Sequence, residues 1–173
     1  MELVNDLIKI LLPAAVVLYA MYLTVKAFLN KDFEKKLIEI KQKNTEIVLP
    51  VRLQAYERMC LFLERISPNN LLVRVNEPGF TSARFRQQLL HEIREEYNHN
   101  LSQQVYMSDQ AWQLVKSSMD DVTSIINQAG ESVNPESRSV ELARVIFDKM
   151  MERNEDPVEK SLKFLKNEIR QVF

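Results

Sequence analysis

Carboxylates and imidazoles crowd one stretch of this chain: His91, Glu92, Glu95, Glu96 and His99. Glu96-x-x-His99 has the spacing with which helical bundles hold a di-iron centre, because residues at i and i+3 project to one side of a helix. Such a centre needs that pair twice, plus two further carboxylates. The chain has no second Glu-x-x-His, and His91 meets Glu95 at a different spacing. Only a homodimer would supply the second copy, which gives a rival reading as a dimeric di-iron enzyme using Glu96 and His99. The favoured expectation is an exposed polar face, with no metal and no cofactor.

Nucleophilic chemistry has little support. Cys60 is the single cysteine, flanked by Met59, Leu61 and Phe62. On an apolar helix it would be a small hydrophobe with a disfavoured thiolate. One cysteine forms no disulfide within the chain, which fits a reducing compartment. Gly79 and Gly130 are the only glycines. Walker, dinucleotide and kinase loops need several glycines close together so that backbone can approach phosphate, so these classes are excluded. There is also no Gly-x-Ser-x-Gly elbow. The expectation is a protein that is not an enzyme and has no catalytic residues to nominate.

Arginine offers more. Arg52, Arg58, Arg65, Arg74, Arg84 and Arg86 interleave with Glu57, Glu64 and Glu77. The planar guanidinium binds carboxylates bidentately, so such a run serves ion pairs at the rim of a core or at an interface. Arg74, Arg84 and Arg86 are the candidates for an acidic partner surface. Nucleic acid is not expected, since 23 Lys+Arg stand against 24 Asp+Glu and phosphate binding relies on a basic surface.

The elements that carry these residues begin with an apolar run, Ile10 to Val25, bracketed by Lys9 and Lys26. A spanning helix needs about 20 apolar residues, and terminal lysines can extend their ammonium groups to the headgroups. The leading residues Glu2 and Asp6 are acidic, unlike the basic start of a signal peptide. Lys26, Lys31, Lys35, Lys36, Lys41 and Lys43 follow the run, whereas Lys9 alone precedes it. The positive-inside bias then puts the amino terminus outside and residues 31–173 in the cytoplasm.

Residues 31–50 read as an amphipathic stalk helix. Phe33, Leu37, Ile40, Ile47 and Val51 fall at alternating four- and three-residue steps, with Asn44 in the remaining slot. This is a heptad seam, in which one polar residue can fix register. Phe33, Leu37, Ile40, Asn44 and Ile47 are the candidate stalk contacts, to a partner or to a second copy. Pro50 predicts a kink or joint. Residues 51–173 read as a bundle of four or five helices. Val51 to Ile66 is apolar on much of its circumference, and Ser67-Pro68-Asn69-Asn70 ends it. Leu71 to Phe80 is a connector in which Leu72 to Val75 could form a brief strand. Thr81 or Ser82, Ser108 with Asp109, and Asp156 with Pro157 mark later helix starts. Gly130 is expected to stop the helix before it. Val140, Ala143, Phe147 and Met150 are expected inward on the next helix, and Val158, Leu162, Leu165, Ile169 and Val172 on the last. The fold class is thus all-α: an anchor at 1–30, a kinked stalk at 31–50 and a helical bundle at 51–173.

LPVRLQAYERMCLFLERISPNNLLVRV and HEIREEYNHNLSQQVYMSDQAWQLVK resemble uncharacterised single-span proteins of Bacteroidota. Ala55 to Arg58, Leu61 to Ile66, Pro68, Leu71, Arg74, Asn100 to Tyr106 and Trp112 carry the likeness. The resemblance implies a bacterial inner membrane and supplies no activity. Anchor, seam and balanced charge together predict a non-catalytic scaffold or accessory subunit of an envelope complex, such as secretion or insertion machinery. Its partners would be the lipid bilayer and other membrane or envelope proteins. The alternative is a homodimeric membrane-tethered spacer that self-associates through the stalk.

Overall fold

The computed structural model describes residues 2–153 and 155–171, without the side chains of residues 2–8 and 10. The chain is all-helical: α1 Glu2–Ile66, α2 Pro68–Val75, α3 Ser82–Asn100, α4 Asp109–Glu131, α5 Ser139–Met151 and α6 Pro157–Arg170. A 3-10 helix, Leu101–Tyr106, follows α3. Among the described residues the only β feature is an isolated bridge between Thr81 and Arg138. The chain divides into two compact units, Met1–Leu49 and Pro50–Phe173.

The first unit is the leading part of α1. It is long and apolar enough to cross a membrane, and its most apolar window is 0% buried. Helical backbone continues through Pro13 and Pro50. Pro50, where the sequence predicts a kink or joint, is where the second unit begins.

In the second unit α1 buries one face. Ala55, Tyr56, Met59, Phe62, Leu63 and Ile66 recur at three- and four-residue steps and are buried, whereas Leu53 and Leu61 are exposed. That spacing aligns side chains along one side of a helix. They share a core with Leu71 of α2, Phe85, Leu89 and Ile93 of α3, and Val115, Val122 and Ile126 of α4. Leu142, Ile146, Val158 and Leu165 of α5 and α6 complete it. Tyr97 joins three helices: its ring lies 6.1 Å from Phe62 and stacks at 5.7 Å on Trp112. Helix α4 packs against α3, α5 and α6.

Local chemistry sets the helix starts. Thr81 accepts from the Arg84 amide, Ser108 from the Ala111 amide, and Asp156 from the amides of Val158 and Glu159. Each cap satisfies donors that the first turn leaves without partners, worth about 1 kcal/mol apiece.

Three expectations are corrected. Leu71 to Val75, read as connector with a brief strand left open, is helix: Pro68 sits at the first turn of α2, where its missing amide costs nothing, and Leu71, Leu72 and Val75 bury one face. Gly130 does not stop α4, which runs on to Glu131 with Ser132 as the cap in ordinary right-handed geometry. On α5 Leu142 and Ile146 are buried, and Ala143 and Met150 pack partly buried against the core as expected, while Val140 and Phe147, also expected inward, are exposed. Val172, expected on the last seam, lies outside the described residues.

Candidate functional site

Helix α3 holds the acid-histidine stretch, and its carboxylates are engaged by arginine. Arg65 of α1 makes an ion pair with Glu96. Arg74 of α2 donates to Glu92 Oε2 at 2.7 Å, and Gln88 donates to the other oxygen at 3.4 Å. Glu95, His91 and His99 are exposed. Among the described residues no three His, Cys, Asp or Glu side chains converge as metal ligands would. The Glu96 carboxylate serves to dock α1 on α3.

The three nominated arginines lie in different surroundings. Arg74 is held by Glu92. Arg84 is exposed and lies over the Phe80 ring, 4.6 Å from its centre. Arg86 is half-buried: its Nε and one terminal nitrogen donate to Asn127 Oδ1 at 3.3 and 2.8 Å. Arg153 and Asp121 add a link between α4 and the segment after α5 at 3.2 Å.

Cys60 is half-buried on α1. Burial pushes its thiol pKa up, against a smaller lowering by Lys166 and with a further rise from Glu64. The thiol form is therefore favoured, as a packing role requires. Tyr56 is more unusual. Its pKa is raised first by burial and then by Glu168, with Arg52 acting against both. Neither the Tyr56 hydroxyl nor Glu168 Oε2, both buried, makes a hydrogen bond of good geometry. Arg52 donates to the Tyr106 carbonyl at 3.1 Å.

Grooves of more than 400 Å³ open on this second unit. One, of about 420 Å³, lies between residues 76–81 and 136–140 and presents Glu77, Glu136 and Arg138. Backbone bonds clasp its walls: Ser82 N to Ser137 O at 2.8 Å, and Ser139 N to Phe80 O at 3.1 Å. Another, of about 430 Å³, runs between α3 and α4 over Ile93, with Arg94, Asn98, Asp120 and Thr123 on its walls.

Large apolar side chains are exposed along α1 and on α5, besides Val73 of α2 and Leu101, Val105 and Tyr106 of the 3-10 helix. On α1 they continue past the apolar run through Phe28, Leu29, Phe33, Leu37, Ile38, Ile40, Ile47 and Val48. The nominated stalk residues Phe33, Leu37, Ile40 and Ile47 belong to this set, and Asn44 is exposed beside them. On α5 they are Val140, Phe147 and Met151, the last 85% exposed. Sequence reasoning missed that second stripe as surface. Fixing the phase of α5 on Leu142 and Ile146 would have revealed it.

A family profile matches residues 2–172, the apolar helix and the folded unit together. The chain belongs to DUF7935, a family of unknown function. No curated protein and no solved structure is similar enough to match. In this DUF7935 chain Arg65, Arg74 and Arg86 are held by Glu96, Glu92 and Asn127, and the apolar window of α1 is 0% buried.

Proposed function

We propose that this protein is a membrane-anchored, non-catalytic scaffold or accessory subunit of a larger envelope complex. The leading part of α1 crosses a bacterial inner membrane with the amino terminus outside. Residues 31–173 lie in the cytoplasm and bind membrane or envelope partners. The observation that carries this reading is the 0% burial of the apolar window. A core helix of a water-soluble protein hides such a surface, and a surface left in water would be strongly unfavourable. Lipid is the medium that removes it from water. The lysine excess after Val25 supports the orientation, and the likeness to single-span proteins supports the compartment.

The test is recovery from native membranes. A carboxy-terminally tagged copy should resist alkaline carbonate extraction, and a fused reporter active only in the cytoplasm should be active. Mild-detergent purification should return other membrane proteins in fixed stoichiometry. Release by carbonate, or recovery of this chain alone, overturns the reading. A homodimeric spacer is the rival, and it rests on the seam through Asn44.

A further inference from the structure

Of the exposed stripe on α1, the part from Phe33 to Ile47 lies beyond the apolar run. Phe33, Leu37, Ile40 and Ile47 are 67%, 46%, 56% and 70% exposed. With Leu37 and Asn44 at position a of the heptad, Phe33, Ile40 and Ile47 occupy d. Lys36 and Lys43 then fall at g, and Lys41 at e. Within residues 33–47 the g edge is lysine alone, whereas the e edge carries Glu34 ahead of Lys41, so the flanks are basic by three to one. The opposite face is mixed, with Lys31, Lys35, Glu39, Gln42 and Glu46.

We infer that this seam docks an amphipathic helix of a different membrane protein, one whose own apolar seam is flanked by Asp or Glu. The inference rests on the anchored-scaffold reading and names the chemistry of its partner. A second copy fits poorly. Two anchored chains share one orientation, so their stalks would run parallel, and parallel pairing sets g of one helix against e of the next heptad in the other. Lys36 would then face Lys41 of the second copy, a like-charge contact. The lipid surface fits no better. The helix is continuous, and its rise puts Asn44 about 20 Å beyond Lys31, past the headgroups, while the anchor spans. Acidic flanks on a partner helix satisfy all three lysines. Lys36 already touches Asp32 at 3.1 Å, but both groups are exposed, and such a pair is readily exchanged for a partner carboxylate.

The test uses the full chain in nanodiscs of phosphatidylethanolamine and phosphatidylglycerol. The probes are two synthetic helical peptides about four heptads long, with the same Leu/Ile seam and one Asn to meet Asn44. One carries Glu at every e and g position and the other Lys. The Glu peptide should bind at least about tenfold more tightly, with the difference shrinking in salt. K36E/K41E/K43E should reverse the preference, K36Q/K41Q/K43Q should abolish it, and K31E/K35E should leave it unchanged. Equal affinity for both peptides, no binding of either, or a dimer of the chain that excludes both overturns the inference. If the peptides fail while native membranes still yield a stoichiometric partner, the seam falls and the scaffold stands. Carbonate extraction of the chain removes the anchor itself.

Discussion

Gly130 stands where a Cβ would come within 2.5 Å of Arg86 Cδ and 2.9 Å of its Nε. The arginine of α3 lies across the last turns of α4 and reaches Asn127. Glycine there lets the arginine side chain lie close to the helix, and its backbone is not left-handed. The same contact explains why a residue that reads as a helix stop sits inside the helix.

Gly130→Ala sets two effects against each other. Alanine favours helix by about 1 kcal/mol, whereas displacing Arg86 loses a hydrogen bond from a charged donor worth roughly 1.5–3 kcal/mol. The variant should lose about 1 kcal/mol in denaturant titration of the detergent-solubilised chain, read by Trp112 fluorescence. On an Arg86→Ala background the same change should stabilise, and a loss in both backgrounds would dispose of the contact.

The buried hydroxyls of Ser118 and Ser161 lie 2.7 Å apart between α4 and α6. Each also lies within donating distance of a carbonyl of the facing helix, Pro157 for Ser118 at 2.8 Å and Leu114 for Ser161 at 3.0 Å, so two protons serve three contacts. Small side chains at the crossing let the two backbones come close. Ser161→Leu should cost about 2–3 kcal/mol by overpacking, and Ser118→Ala about 1 kcal/mol. A neutral Ser161→Leu would mean that the crossing is loose.

These contacts mark the limit of what the sequence discloses. The long apolar helix was legible because its signal is one uninterrupted segment. The starts of α3, α4 and α6 were legible because Thr81, Ser108 and Asp156 act within three residues of themselves. Helix α2 was not. Val73 and Val75 favour strand and Pro68 reads as a break, and only packing against α3 decides for helix. The stalk seam was visible because it lies on a single helix. The partners of Arg65, Arg74 and Arg86 were hidden because each comes from another element.

The proposed anchor makes its own prediction. A Val17→Lys and Leu18→Lys pair puts two charges at the middle of the apolar run, at about 3 kcal/mol each on insertion scales. The variant should move from the membrane to the soluble or aggregated fraction. Continued resistance to alkaline carbonate would show that this segment is not what holds the protein in the bilayer.

Tyr56 invites a conservative change. Its hydroxyl is buried without a bond of good geometry, so removing it leaves no other group deprived of a partner. Tyr56→Phe should be neutral or stabilising by up to about 1 kcal/mol, whereas Tyr56→Ala should cost about 3–5 kcal/mol through the cavity it leaves. A loss above about 1.5 kcal/mol in Tyr56→Phe would show that the phenol bonds Glu168 after all.

Alkaline pH reads the same groups from another side. Burial raises the Tyr56 and Tyr97 phenols above their usual 10.0, with Glu168 and Asp120 adding to it respectively. Cys60 rises from 9.0 for the same leading reason. In each case the folded state holds its proton more tightly than the unfolded chain does. The stability contributed is therefore complete below about pH 9 and declines as pH climbs through the folded values. Denaturant midpoints should be flat from these groups near neutrality and fall from about pH 9 upward. Cys60→Ala should delay the onset toward pH 10, and Tyr97→Phe should flatten the slope above it. An alkaline limb unchanged in the double variant would mean that other groups set it, and that burial of these side chains is shallower than their place in the core requires.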